Sequence, residues 1–181
     1  YDLFSKKAKA SGIDGAIIVD LPPEEDSELR EAFNLNDLAL IRLATPNTDK
    51  NRLPRVVSGT KGFVYYVSMT GITGASSDNL NSVPEQVHKI KQASKLPVVV
   101  GFGIKTPDDA HKISKDADGV VVGSAIVKEL NEKGVEAALA GRSAIDSGVD
   151  IARVFTTYST EDVVSILSEL EITENDIILV K

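Results

Sequence analysis

The stretch LPVVVGFGIKTPDDAHKISKDADGVVVGSAIV (residues 96–127) decides the fold. It contains two apolar runs, PVVVG (97–101) and GVVVG (119–123), each ending in glycine and separated by one segment with helical spacing. Runs that are apolar at every position suit parallel strands covered by helices, whereas a strand with one wet face would alternate. The intervening segment opens on Thr106-Pro107-Asp108-Asp109. That order supplies a capping hydroxyl, a proline at the first helical position and acids in the first turn. Ala110, Ile113 and Ala117 then fall on one face, so the stretch reads as strand, helix, strand.

The same alternation extends in both directions. Apolar runs recur at GAIIV (15–19), LALIRL (38–43) and FVYYV (63–67), and again at IARVF (151–155) and DIILV (176–180). Val83, Val87 and Ile90 share a helical face after Asn81-Ser82, and Val163, Leu167 and Leu170 do so after Ser159-Thr160-Glu161-Asp162. The expectation is an α/β chain of parallel βα repeats, with helices wrapping a sheet of seven strands. Tyr1 enters a helix that reads as already under way. One connection is long: Ser68 to Ser82, rich in Gly, Ser and Thr, follows a strand and is where an α/β protein places function.

The chain has 181 residues, 42% hydrophobic and 26% charged, ordinary for a soluble globular protein of one domain or slightly more. A net charge of -7 argues against nucleic acid or an anionic membrane as partner. With no cysteine, disulfides, thiolate chemistry and sulfur-ligated metals are excluded, which fits a cytoplasmic protein. No apolar run approaches membrane-spanning length, and the first ten residues do not read as a signal peptide.

Glycine at strand ends suggests a ligand. Gly103, Gly123-Ser124 and, within the long loop, Thr73-Gly74 follow three of the runs. Glycine admits an anion close to backbone N–H groups, and the free amides of a helix start favour a dianion, with the Ser124 hydroxyl as a further donor. Glycines also simply permit tight turns, but two such endings one βα unit apart favour a phosphate cup. In (β/α)8 barrels phosphate is usually held after the last two strands.

VDLPPEE (19–25), YYVSMTGITGA (65–75), LPVVVGFGIKTP (96–107) and ADGVVVGSAIV (117–127), in this order, resemble the C-terminal part of the tryptophan synthase α subunit over about residues 1–140. That family is a (β/α)8 barrel cleaving indole-3-glycerol phosphate to indole and glyceraldehyde 3-phosphate. The resemblance implies that Gly74, Gly103, Gly123 and Ser124 hold the substrate phosphate. It implies that Tyr65, Thr73 and Phe102 line the site, with Ile17, Val19, Leu43 and Val121 as apolar walls for indole and the 68–82 loop as a lid. It implies no cofactor or metal. Read from the residues alone, Tyr65 is equally a core or rim aromatic, and the four aliphatics belong to a core. Asp20 reads as a cap for the following helix rather than a site carboxylate. His88 and His111, among Lys, Gln and Asp, read as surface residues.

The family's catalytic carboxylates lie on the second strand and the loop after it, and these 181 residues contain no counterpart; Asp20, Glu24, Glu25 and Asp78 do not match them. The expectation is therefore a phosphate site with no catalytic residue. From about Gly141 the tail (141–181) resembles weakly the C-terminal domain of Mur ligases, reading as a flavodoxin- or Rossmann-like βαβ piece on the same sheet. Without G-x-x-x-x-G-K-[ST], ligase activity is not expected. A chimera of a partial (β/α)8 TIM barrel and such a tail, engineered or from gene fusion, fits this order, as does a non-enzymatic recombined fold with residual phosphate binding. The tail or a homodimer would cover the sheet edges. Family membership also implies docking on a tryptophan synthase β subunit, although much of that surface belongs to the half this chain does not match.

Overall fold

A computed structural model describes residues 1–68, 82–101, 104, 106–123, 128, 131 and 132. Within them the order is α1 (Asp2–Ala10), β1 (Gly15–Ile17), α2 (Ser27–Leu35), β2 (Ala39–Ala44), α3 (Leu53–Val57), β3 (Val64–Val67), α4 (Val83–Ser94), β4 (Val98–Gly101), α5 (Pro107–Ser114) and β5 (Gly119–Val121). The strands form one wholly parallel sheet in the order β1-β2-β3-β4-β5. All five apolar runs expected between residues 15 and 123 thus become strands, and α2, α3, α4 and α5 are the crossovers between successive strands. The runs are trimmed at their ends. β1 stops at Ile17 because the Leu21 N–H donates to the Ile18 carbonyl, turning the chain before Pro22.

The two-residue period of a strand sorts the side chains into two layers. Ala44, Val64, Tyr66, Val98, Val100 and Val120 face the helices, packing with Val57 of α3, Val87 and Ile90 of α4, and Ile113 of α5. The opposite face joins Ile17, Ile41, Phe63, Val99 and Val121, flanked by Leu43 and Tyr65. A third cluster binds α1 and α2 to the first two strands through Ala8, Leu29, Phe33 and Leu40. Phe33 also stacks on Phe4, ring centroids 6.1 Å apart.

Two local devices set the geometry of the β4–β5 unit. Asp118 accepts a 2.7 Å hydrogen bond from the Val98 N–H and returns its own N–H to the Val98 carbonyl at 2.9 Å, while Lys91 donates to the same carboxylate at 3.0 Å. Thr106 caps α5 as its sequence implies. Its hydroxyl accepts from the Asp109 N–H at 3.2 Å, and the Asp109 carboxylate accepts from the Thr106 N–H at 3.0 Å, a reciprocal capping box. Val83, Val87, Ile90 and Ile113 are buried as their spacing required.

One expectation is corrected. Asp20 does not cap the next helix: it is exposed, and α2 begins seven residues later, at Ser27, behind Asp26. Pro22 and Pro23 remove backbone N–H donors and hold the preceding residues extended, which delays the helix. The runs at 151–155 and 176–180, the helix after Ser159, the whole tail from residue 141 and loop residues 69–81 lie outside the described residues. Among the described residues, no helix is long and apolar enough to cross a membrane.

Thr106→Ala removes one half of the capping box and should lower stability by about 1 kcal/mol. Thr106→Ser should restore most of it, both read from urea unfolding midpoints.

Candidate functional site

Because every strand is parallel, all their C-terminal ends lie along one edge of the sheet, and the loops leaving them can share a site. Of the expected site residues, Ile17, Leu43, Tyr65 and Val121 come together on the face away from the helices, within a single apolar cluster. They are contributed by β1, β2, β3 and β5, so the grouping is a product of the fold and not of chain proximity. Gly123 is half-buried, two residues past the end of β5. Val19 stands apart from the cluster, 54% exposed beyond β1. Thr73, Gly74, Phe102, Gly103 and Ser124 lie outside the described residues.

Tyr65 has the most constrained geometry. A Cβ built on Gly101 would meet its phenol ring, 2.7 Å from Cζ and closer still to the hydroxyl. The ring therefore lies across the end of β4 in the space that any side chain at residue 101 would fill. Burial pushes the phenol pKa of Tyr65 up, and it does the same to Tyr66 on the helix-facing layer.

Above the ends of β1 and β2 a cleft of ≈ 320 Å³ opens, lined by Val19, Asp20, Pro22, Leu43, Thr48 and Arg52 among others. Its far wall is a turn closed by threonines: the Thr45 N–H donates to the Thr48 hydroxyl at 3.0 Å, and Asp49 accepts from the Asn51 and Arg52 N–H groups at 2.8 Å each. Beneath lies a charge pair that sequence reasoning missed. Arg42 of β2 points to the helix-covered layer and pairs with Asp26; their side chains are 7% and 1% exposed. Asp26 also faces the Arg30 Nε at 3.4 Å. Burial pushes the Arg42 guanidinium below its ordinary range, opposed by the charge of Glu24. Glu24 in turn reaches Arg55 at 3.4 Å and Arg52 at 3.9 Å, tying the loop after β1 to α3. The available signal was an arginine within LALIRL, since a charge in an apolar strand needs a buried counter-charge. His88 and His111 are exposed, His88 bonded to Gln92 at 2.9 Å, as a surface role requires. Among the described residues no three His, Asp or Glu side chains are placed to hold a metal.

A parallel βα sheet whose inner apolar residues gather toward the C-terminal strand ends is the arrangement of (β/α)8 barrel proteins, one of the two classes built on wholly parallel sheets. The family described as "Tryptophan synthase alpha chain" matches residues 1–153, past the boundary expected near residue 140. The chain belongs to that family. It is 52% identical over 134 residues to the tryptophan synthase alpha chain of Erythrobacter litoralis, covering 74% of this chain and 52% of that protein. Mycobacterium tuberculosis tryptophan synthase superposes with a TM-score of 0.73 at 37% identity, over 82% of this chain and 56% of that one. A structure of the tryptophan synthase a2b2 complex from Pyrococcus furiosus superposes with a TM-score of 0.65 at 34% identity, over 80% and 58%. The five strands are thus a curled half-barrel sheet, and the chain spans about half the length of the curated relatives it matches.

Gly101→Ala should cost about 1–3 kcal/mol by overpacking against Tyr65. Adding Tyr65→Ala should recover part of that loss, so that unfolding of the two single variants and the double variant gives a non-additive cycle.

The buried phenols also give a pH dependence. Their folded pKa values lie above the ordinary 10.0, so the folded state holds these protons more tightly than the unfolded chain does. Their contribution is complete below pH 10 and is lost as pH rises through the folded values. Alkaline unfolding followed by circular dichroism should begin above pH 10, and later in a Tyr65→Phe, Tyr66→Phe variant.

Proposed function

We propose that this chain forms the indole- and phosphate-binding part of a tryptophan synthase α site and binds indole-3-glycerol phosphate without cleaving it. The observation that carries the reading is the convergence of Ile17, Leu43, Tyr65 and Val121, from four strands, on one apolar face at the strand ends. Such a surface takes a planar apolar ring and excludes water from it. The half-buried Gly123 just past β5 supports a phosphate position there, with Gly74, Gly103 and Ser124 as the remaining donors. A chain carrying net charge -7 needs such local backbone donors to hold a dianion.

The retro-aldol step needs groups that move protons at the indole ring and the glycerol hydroxyl. By the family resemblance these are carboxylates on elements outside the 181 residues, so the chain's own residues bind and orient but supply neither acid nor base. The family partner is the β subunit, in keeping with the a2b2 complex named for the Pyrococcus relative. With half of the family's length present, that docking is weak, and on this reading a homodimer or the tail from residue 141 is the cover for the sheet edges. A cytoplasmic setting accords with the absence of cysteine.

Glycerol 3-phosphate at ten times its dissociation constant should stabilise the chain by about 1.4 kcal/mol. A Gly123→Val variant should lose that stabilisation while keeping its own unfolding transition, and indole release from indole-3-glycerol phosphate should stay at background. Turnover at the rate of a complete α subunit would show that acid and base are present.

A further inference from the structure

Ser68 follows the last residue of β3 and is 1% exposed. Its backbone N–H and its Oγ both donate to the carbonyl of Gly101, at 3.0 and 3.2 Å. The ladder pairs Val67 with Gly101, so the N–H bond continues the sheet and the hydroxyl bond is a second one on the same oxygen. A carbonyl has two lone pairs and accepts both.

Gly101 is also the residue across which the Tyr65 ring lies. Tyr65 pairs with Val99 across the β3–β4 ladder, and Gly101 is the next residue on the same face, the diagonal neighbour a long aromatic reaches. A ring packed on a bare backbone has no side-chain volume with which to accommodate a shift. Its position depends on how far the ends of β3 and β4 stand apart, and the two Ser68 bonds extend the ladder pairing to that end.

We propose that Ser68 is a positioning residue for ligand recognition, holding the ends of β3 and β4 at the spacing that seats Tyr65 over Gly101 and against the ring of a bound ligand. The proposal rests on the reading of the inner face as the indole pocket. Ser68 itself need not touch the ligand. A hydroxyl that merely satisfied its own burial would affect stability and leave ligand preference alone.

The two roles separate by comparing ligands with and without the ring. In the full 181-residue chain, calorimetric titration of indole-3-glycerol phosphate and of glycerol 3-phosphate is compared for wild type and Ser68→Ala. The expected result is about tenfold weaker binding of the indole ester, less than about threefold for glycerol 3-phosphate, and recovery in Ser68→Thr, in line with one misplaced pocket contact. Equal losses for both ligands, or none, would overturn the proposal. Should Ser68→Ala fail to fold, Ser68→Cys keeps the volume with a poor donor and must show the same ligand difference. Wild type binding neither ester would remove the pocket reading and this proposal together. Wild type binding both, with Ser68 variants indifferent, would remove this proposal alone.

Discussion

Arg42 enters the sheet on the layer that helices cover, where an uncompensated guanidinium would cost several kcal/mol. Asp26 meets it there, and the consequences spread outward. To bring a carboxylate over β2, the chain leaving β1 must cross the strand ends before α2 can start. That crossing carries Val19, Asp20 and the two prolines across the top of the sheet, where they form one wall of the cleft. The charge pairs of Glu24 with Arg55 and Arg52 fasten the same loop to α3. The exposed pairs add little individually. The buried pair is different, because losing either partner leaves a charge in an apolar layer.

Features governed by neighbours in sequence were legible before any coordinates. The five apolar runs became strands, and the Thr106 capping box formed, because periodicity and cap chemistry act within a few residues. Asp20 illustrates the limit. Four acids, Asp20, Glu24, Glu25 and Asp26, precede Ser27, and a local capping rule cannot choose among them. Asp26 holds the N-cap position without a cap hydrogen bond, because its carboxylate turns to Arg42, sixteen positions along the chain. The site divides in the same way. Ile17, Leu43 and Val121 are aliphatics in apolar runs, indistinguishable from core until the register gives them a shared face. Ser68 and Gly101 looked like small residues at strand ends, and their relation to Tyr65 exists only across the β3–β4 ladder.

On the proposed reading, binding and chemistry fall on different parts of the fold. The inner face assembles from side chains whose only requirement is apolarity and register, and five neighbouring strands suffice to build it. Proton transfer demands an acid or base at a stated atom, within about 3 Å of its target. A half-barrel can keep the first property without the second, because burial is shared among many residues whereas catalysis is concentrated in one or two.

The strand order follows the chain order throughout the described sheet, and paired residues in successive strands are 20 to 34 positions apart. No strand therefore waits for a later one to supply its inner neighbour. During synthesis each βα unit emerges beside an edge that is already formed, so assembly can proceed vectorially, at the pace of translation. The loop-closure entropy is met in small instalments instead of in one long closure.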